Sequence, residues 1–220
     1  MDALLALLEA VAFTAFGAPV TVVEVIGFAT GALCVYGVAR QNLWNWPVGL
    51  LNNAAFGLLF FGVGLYADMA LQGIFAGIAV YGWWTWARGQ RDTGDLPVRR
   101  ATRAEVGTLT AAAVVGTVAV ALLLRHGTDS AVPVWDSLVL TLSLVATYGQ
   151  AQKLLSSWYV WILVDLISVP LYLSRGLVLT AVLYVGFTAL CVMGLIGWTR
   201  SMRGRQGSAL PPVPQVEAVA

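Results

Sequence analysis

Apolar residues occur along this chain in long blocks, and polar positions fall mainly between the blocks. Seven blocks are near the roughly 17 to 25 residues that carry a helix across a bilayer. They cover residues 22–39, 46–66, 68–86, 106–124, 135–150, 158–173 and 177–198. The pattern predicts an all-α polytopic membrane protein with seven transmembrane helices. Pro47 falls in the first turn of the second block, where a proline is well tolerated. Residues 3–16 form a weaker block, predicted as a short interfacial helix within an N-terminal segment of residues 1–20. After Arg205, Pro211, Pro212 and Pro214 predict disorder, with residues 201–220 as a cytoplasmic tail.

The sixth block is interrupted by a carboxylate. On a helix, Trp161, Asp165, Ser168 and Tyr172 are spaced four, three and four residues apart and share one face. Ile162, Leu163, Leu166, Val169 and Leu173 occupy the opposite face, which suits lipid or packed neighbours. A carboxylate at mid-bilayer costs about 2.5 to 3.5 kcal/mol on insertion scales and is normally kept because it faces a cavity. With an aromatic ring one turn away on either side, Asp165 has the makings of a cage for an organic cation.

Of the 220 residues, 59% are hydrophobic and 10% charged, with a mean hydropathy of +0.81. Soluble domains carry roughly 25% charge, so the composition agrees with the block pattern. The net charge of +1 hides an asymmetry. One face receives Arg40, Arg88, Arg91, Arg99, Arg100, Arg103, Lys153, Arg200, Arg203 and Arg205; the other receives Arg125 and Arg175. The positive-inside rule then places the C-terminus in the cytoplasm and the N-terminus outside. On this assignment Trp44, Trp46, Trp83, Trp84, Trp86, Trp158 and Trp198 lie near the cytoplasmic interface, most of them as an aromatic belt. Basic residues confined to short loops argue against nucleic-acid binding. Cys34 and Cys191 sit inside apolar blocks, which disfavours a disulfide or a metal site. His126, the one histidine, is expected in an exposed loop. Residues 1–18 lack a basic n-region, and Asp2 and Glu9 are acidic, so a cleavable signal is not expected.

Phosphate loops, metalloprotease helices, paired intramembrane carboxylates and nucleophile elbows are absent from the sequence. A single Asp cannot serve as both acid and base in hydrolysis, so neither an enzyme nor a bound cofactor is expected. An intramembrane enzyme and a structural or receptor-like protein remain as alternatives of other classes.

A shift of 112 residues superposes 24–88 on 136–200 without a gap. Tyr36-Gly37 meets Tyr148-Gly149, Trp46 meets Trp158, Gly82 meets Gly194, and Trp86 and Arg88 meet Trp198 and Arg200. Each copy holds three spans, so the intervening fourth span makes the copies parallel, a three-plus-one-plus-three plan. The expected units are residues 21–88, a basic linker with the fourth helix over 89–132, and residues 133–200. Repeat interfaces of this kind hold transporter substrate sites. Asp165 is the counterpart of Asn53, and Tyr184 of Gln72. With Tyr148, Trp158, Trp161 and Tyr172, these residues form the candidate substrate site. Glu24, Asp68 and Asp136 begin helices, where a carboxylate complements the helix dipole. Gly27/Gly31 and Gly73/Gly77 have the spacing of close helix packing.

Trp44-Asn-Trp-Pro47 with Asn52-Asn53 and Leu65-Tyr-Ala-Asp68 with Gln72 resemble the PnuC family of bacterial vitamin transporters. So do Gly82-Trp-Trp84, Trp158 with Trp161 and Val164-Asp165, and Leu179-Thr-Ala-Val-Leu-Tyr184. The resemblance covers about residues 20–200. It implies a SWEET-like fold and nicotinamide riboside as substrate. Uptake would be facilitated diffusion by alternating access, with cytoplasmic phosphorylation retaining the product. Carriers of thiamine or riboflavin share the fold, so a related vitamin or a nucleoside is the alternative substrate. Pro170 and Val178 depart from the family pattern. The partners implied are the solute and the lipid bilayer, and a homo-oligomer is compatible with them.

Overall fold

The computed structural model describes residues 10–208, apart from 16, 63–65, 95, 128–131, 175 and 177. Seven helices follow a short hairpin: α1 Val22–Ala39, α2 Asn45–Gly62, α3 Tyr66–Thr93, α4 Arg103–Gly127, α5 Pro133–Ala151, α6 Ser156–Ser174 and α7 Val178–Ser208. The protein is an all-α polytopic membrane protein. Three of the described helices are by themselves long and apolar enough to cross a bilayer: α4, α6 and the Val178–Arg205 part of α7. α1 counts as a shorter apolar helix over Val25–Ala39, and α2, α3 and α5 are diluted by amide and hydroxyl side chains such as Asn52, Asn53, Gln72, Ser137, Thr141 and Ser143.

Three expectations are corrected. The N-terminal segment is not helical where it is described: Val11–Ala15 (β1) pairs antiparallel with Ala18–Thr21 (β2). β-Branched and aromatic residues favour the extended chain, and Gly17, at φ +82°, makes the turn. Residues 3–9 lie outside the described set. At the other end α7 continues through Arg200, Arg203 and Arg205 to Ser208, so the expected tail is partly helical; residues 209–220 lie outside the described set. His126 is exposed as expected, but in the last turn of α4 rather than in a loop. The side chains of Glu24 and Asp68 are not among those described, whereas Asp136 sits in the first turn of α5 behind Pro133.

Six helices close a ring. α1 packs on α2, α2 on α3, α3 on α5, α5 on α6, α6 on α7, and α7 back on α1; α4 stands outside, against α5. In that order α2 faces α6 across the ring and α3 faces α7. α4 is held by the Thr117 and Thr141 hydroxyls, 2.6 Å apart, with Gly116 leaving room for Thr141.

The repeat is reproduced bond for bond in the turns after α1 and α5. Gln41 N–H donates to Val38 O (2.9 Å) and Asn42 N–H to Gly37 O (2.9 Å); Lys153 N–H donates to Gln150 O (3.0 Å) and Leu154 N–H to Gly149 O (2.8 Å). Each set is a Schellman motif. Its left-handed position is Gln41 (φ +55°) in one copy and Lys153 (φ +49°) in the other. The two turns touch, since Lys153 Nζ donates to Gln41 Oε1 at 3.2 Å. Both copies therefore end their first helix on the same side, and the copies run parallel.

The linker folds onto this end. Arg99 forms a parallel bridge, donating to Lys153 O (3.1 Å) and accepting from Leu155 N–H (2.9 Å). Its guanidinium bonds both oxygens of Glu105 (2.8 and 2.7 Å), which raises the Arg99 pKa above its ordinary value. Thr102 and Glu105 exchange hydrogen bonds as a capping box that starts α4.

Candidate functional site

The expected belt of tryptophans is partly a buried layer. Trp46, Trp86, Trp158 and Trp198 are at most 4% exposed. Trp46 meets Trp86 edge-on at 5.3 Å, and Trp158 meets Trp198 edge-on at 5.3 Å. Gly82 and Gly194 admit them, because a Cβ there would collide with Trp46 and Trp158 respectively. The indole of Trp86 donates to Gln150 O (3.2 Å), and that of Trp198 to Val38 O (3.0 Å). These are symmetry-equivalent bonds between the copies. Trp83 and Trp84 are exposed and remain belt residues. Trp158, expected in the solute site, is thus sealed within this layer.

Beyond the layer, α6 presents its polar face to α7. Asp165 is 2% exposed and Ser168 fully buried. Asp165 lies beside the Thr188 hydroxyl and the Cys191 thiol of α7. Its Oδ2, Ser168 Oγ and Trp161 Nε1 are buried without a hydrogen-bond partner among the described residues. Further along, Tyr172 and Tyr184 pack with ring centroids 4.9 Å apart and hydroxyls 3.5 Å apart. Phe187 meets Tyr184 edge-on at 5.8 Å and reaches Gly31 of α1. Leu163, Leu166 and Leu173 on the far face of α6 are exposed, as a lipid-facing strip requires.

The structure therefore joins Trp161, Asp165, Tyr172 and Tyr184 into one constellation. Asn53 and Gln72, both half-buried, lie on the helices facing it across the ring. No hydrogen bond joins either to Asp165 among the described residues. Gln72 packs its Cβ near Gly57. The neighbouring Asn52 is committed elsewhere, donating to Gly27 O (2.9 Å) and Thr30 Oγ1 (2.7 Å). Tyr148 is 40% exposed and stacks on Tyr81 at 6.1 Å, near Arg99 and Glu105 and away from Asp165. Thr188 was not singled out from the sequence, and Cys191 was read there only as a thiol within an apolar block. Their spacing of four and seven residues from Tyr184 was the signal, hidden in an apolar run. No His/Cys/Asp/Glu group able to hold a metal occurs among the described residues. A groove of about 420 Å³ between α4, α5 and α6 is lined by aliphatic and hydroxyl side chains and suits lipid.

Residues 21–200 match the family model described as nicotinamide mononucleotide transporter. The chain belongs to this family. It is 35% identical to the riboflavin/roseoflavin transporter RibM of Streptomyces davaonensis, over 91% of this chain and 94% of that one. It is 27% identical to the nicotinamide riboside transporter PnuC of Escherichia coli, over 86% and 89% of the two chains. A crystal structure of the vitamin B3 transporter PnuC superposes with a TM-score of 0.63, at 24% identity and 81% coverage of each chain, and shows the same fold. The protein is accordingly a multi-pass vitamin transporter of the PnuC family, not an enzyme.

Proposed function

We propose that the protein takes up nicotinamide riboside by facilitated diffusion, the two repeats rocking about the Asp165 constellation. The single observation that carries this reading is the buried Asp165 carboxylate with one unpartnered oxygen, flanked by Trp161, Tyr172 and Tyr184. A pyridinium ring suits that combination of negative charge and aromatic faces. Asn53 and Gln72, across the ring, suit ribose hydroxyls and the carboxamide. The basic end, with the tryptophan layer, faces the cytoplasm, where phosphorylation of the solute would prevent its return.

Riboflavin is the second reading, favoured by the 35% identity to RibM over nearly the whole of both chains. Its ring is neutral and its ribityl chain offers several donors to Asp165. Uptake of each vitamin into proteoliposomes decides between them. Saturable uptake of nicotinamide riboside, in excess of riboflavin, is expected. Riboflavin entry without nicotinamide riboside entry would transfer the assignment, and entry of neither would remove it.

A further inference from the structure

The position after a helix that takes positive φ is normally glycine, because a Cβ is strained there. Here both copies of the turn carry a long polar side chain at that position, Gln41 and Lys153. The two side chains meet each other across the pseudo-twofold axis, Lys153 Nζ to Gln41 Oε1 at 3.2 Å. Lys153 is fully buried, and its ammonium lies 4.5 Å from the centroid of the Trp86 ring. Trp86 and Trp198, on helices that face each other across the ring, come within 6.1 Å at this level. The carbonyls that accept the two cross-repeat indole bonds, Val38 and Gln150, belong to the same two turns. The strained positions, the buried cation and the tryptophan layer therefore form one plug, built from both repeats, at one end of the ring.

We propose that this layer is the gate at the basic end of the transporter and that the Lys153–Gln41 contact is its latch. The inference rests on the transport reading, because only a carrier must open here. When the repeats part, Trp86 leaves Gln150, Trp198 leaves Val38, and Lys153 loses both Gln41 and the Trp86 face. Closure restores all of them together. The side-chain contacts of residues 41 and 153 add to the backbone bonds that hold these left-handed positions, and because they form together they make the closed state a distinct state rather than one of a continuum.

Lys153→Gly separates a latch from a merely structural residue, since glycine relaxes the φ +49° turn while deleting the side chain. Cys191 lies beside Asp165, inside the layer, and serves as a native reporter in a Cys34→Ala background. Its reaction with a membrane-impermeant maleimide is followed in inside-out and right-side-out vesicles. The loss of one such hydrogen bond shifts the closed-to-open ratio about five-fold. Labelling of Lys153→Gly and of Gln41→Gly should rise by about that factor over the parent in inside-out vesicles only, with the melting midpoint unchanged or higher. Rates equal to the parent, including no reaction in any of them, or equal acceleration from both faces, overturn the latch. The measurement needs no solute, so its failure is distinct from failure of the vitamin assignment.

Discussion

Asp165, Ser168 and Trp161 each carry a buried polar atom without a partner, and such atoms cost about 1 to 3 kcal/mol apiece. A helix that keeps them on one strip is poised to satisfy them with something that arrives and leaves. Ser168→Ala therefore should not lower the melting midpoint, because it deletes an unmet hydroxyl. It should weaken solute binding about two- to ten-fold in a tryptophan-fluorescence titration. Asp165→Asn keeps the shape and removes the charge. It should reduce uptake of a cationic vitamin about ten-fold, the worth of a desolvated cation–carboxylate or cation–aromatic contact, and a neutral one far less. Equal loss for both vitamins would reject a charge-reading role. The strip itself could be read from residue spacing alone. Its partners on α7 could not, because Thr188 and Cys191 sit among apolar residues and acquire meaning only when α7 is docked against α6.

Glycine spacing was an unreliable guide at the scale of the element. Gly27 and Gly31 have aromatic rings against them, Phe56 and Phe187, but Gly73 and Gly77 face open space although their spacing is the same. Gly82 and Gly194, outside those two pairs, are each tight under a tryptophan. Gly194→Ala should thus cost about 1 to 3 kcal/mol through overpacking, whereas Gly77→Ala should be neutral or slightly favourable; thermal unfolding in detergent distinguishes them. Helix ends were legible where the physics is local. α1 begins and ends where its apolar block does, whereas α4 starts three residues before its block, at the Thr102–Glu105 capping box. The α3 and α7 ends were not, since charged residues such as Arg88 and Arg200 suit a helix that has left the bilayer as well as they suit a loop. Thr102→Ala removes the cap and should destabilise that first turn by about 1 kcal/mol, seen as faster amide exchange at residues 103–106.

For the whole molecule, the 112-residue shift was the most informative feature of the sequence. It anticipated parallel halves and made Asn53 and Asp165 equivalents; that α2 faces α6 came only with the packed ring. It could not show that Trp46, Trp86, Trp158 and Trp198 close on one another, because belt and plug use the same residue at the same depth. Lys153 was counted with the surface arginines for the same reason. A carrier of this design has one intramembrane carboxylate on its polar strip and, among the described residues, no acid paired with it to relay a proton. Counterflow of labelled vitamin should therefore proceed at the same rate with and without a pH gradient across the vesicle; a rate that follows the gradient would point to proton coupling through Asp165.

The two turns on the axis share their helix-ending backbone bonds, although Arg99 bridges the second, and they differ in the residue at their tips. Two lysines there would repel, and two glutamines would offer Trp86 no cation. A molecule assembled from a duplicated half is thus unequal at that spot, as it is at Asn53 and Asp165. A second copy of either half in place of the other would lose the Lys153–Gln41 contact at the seam where they join.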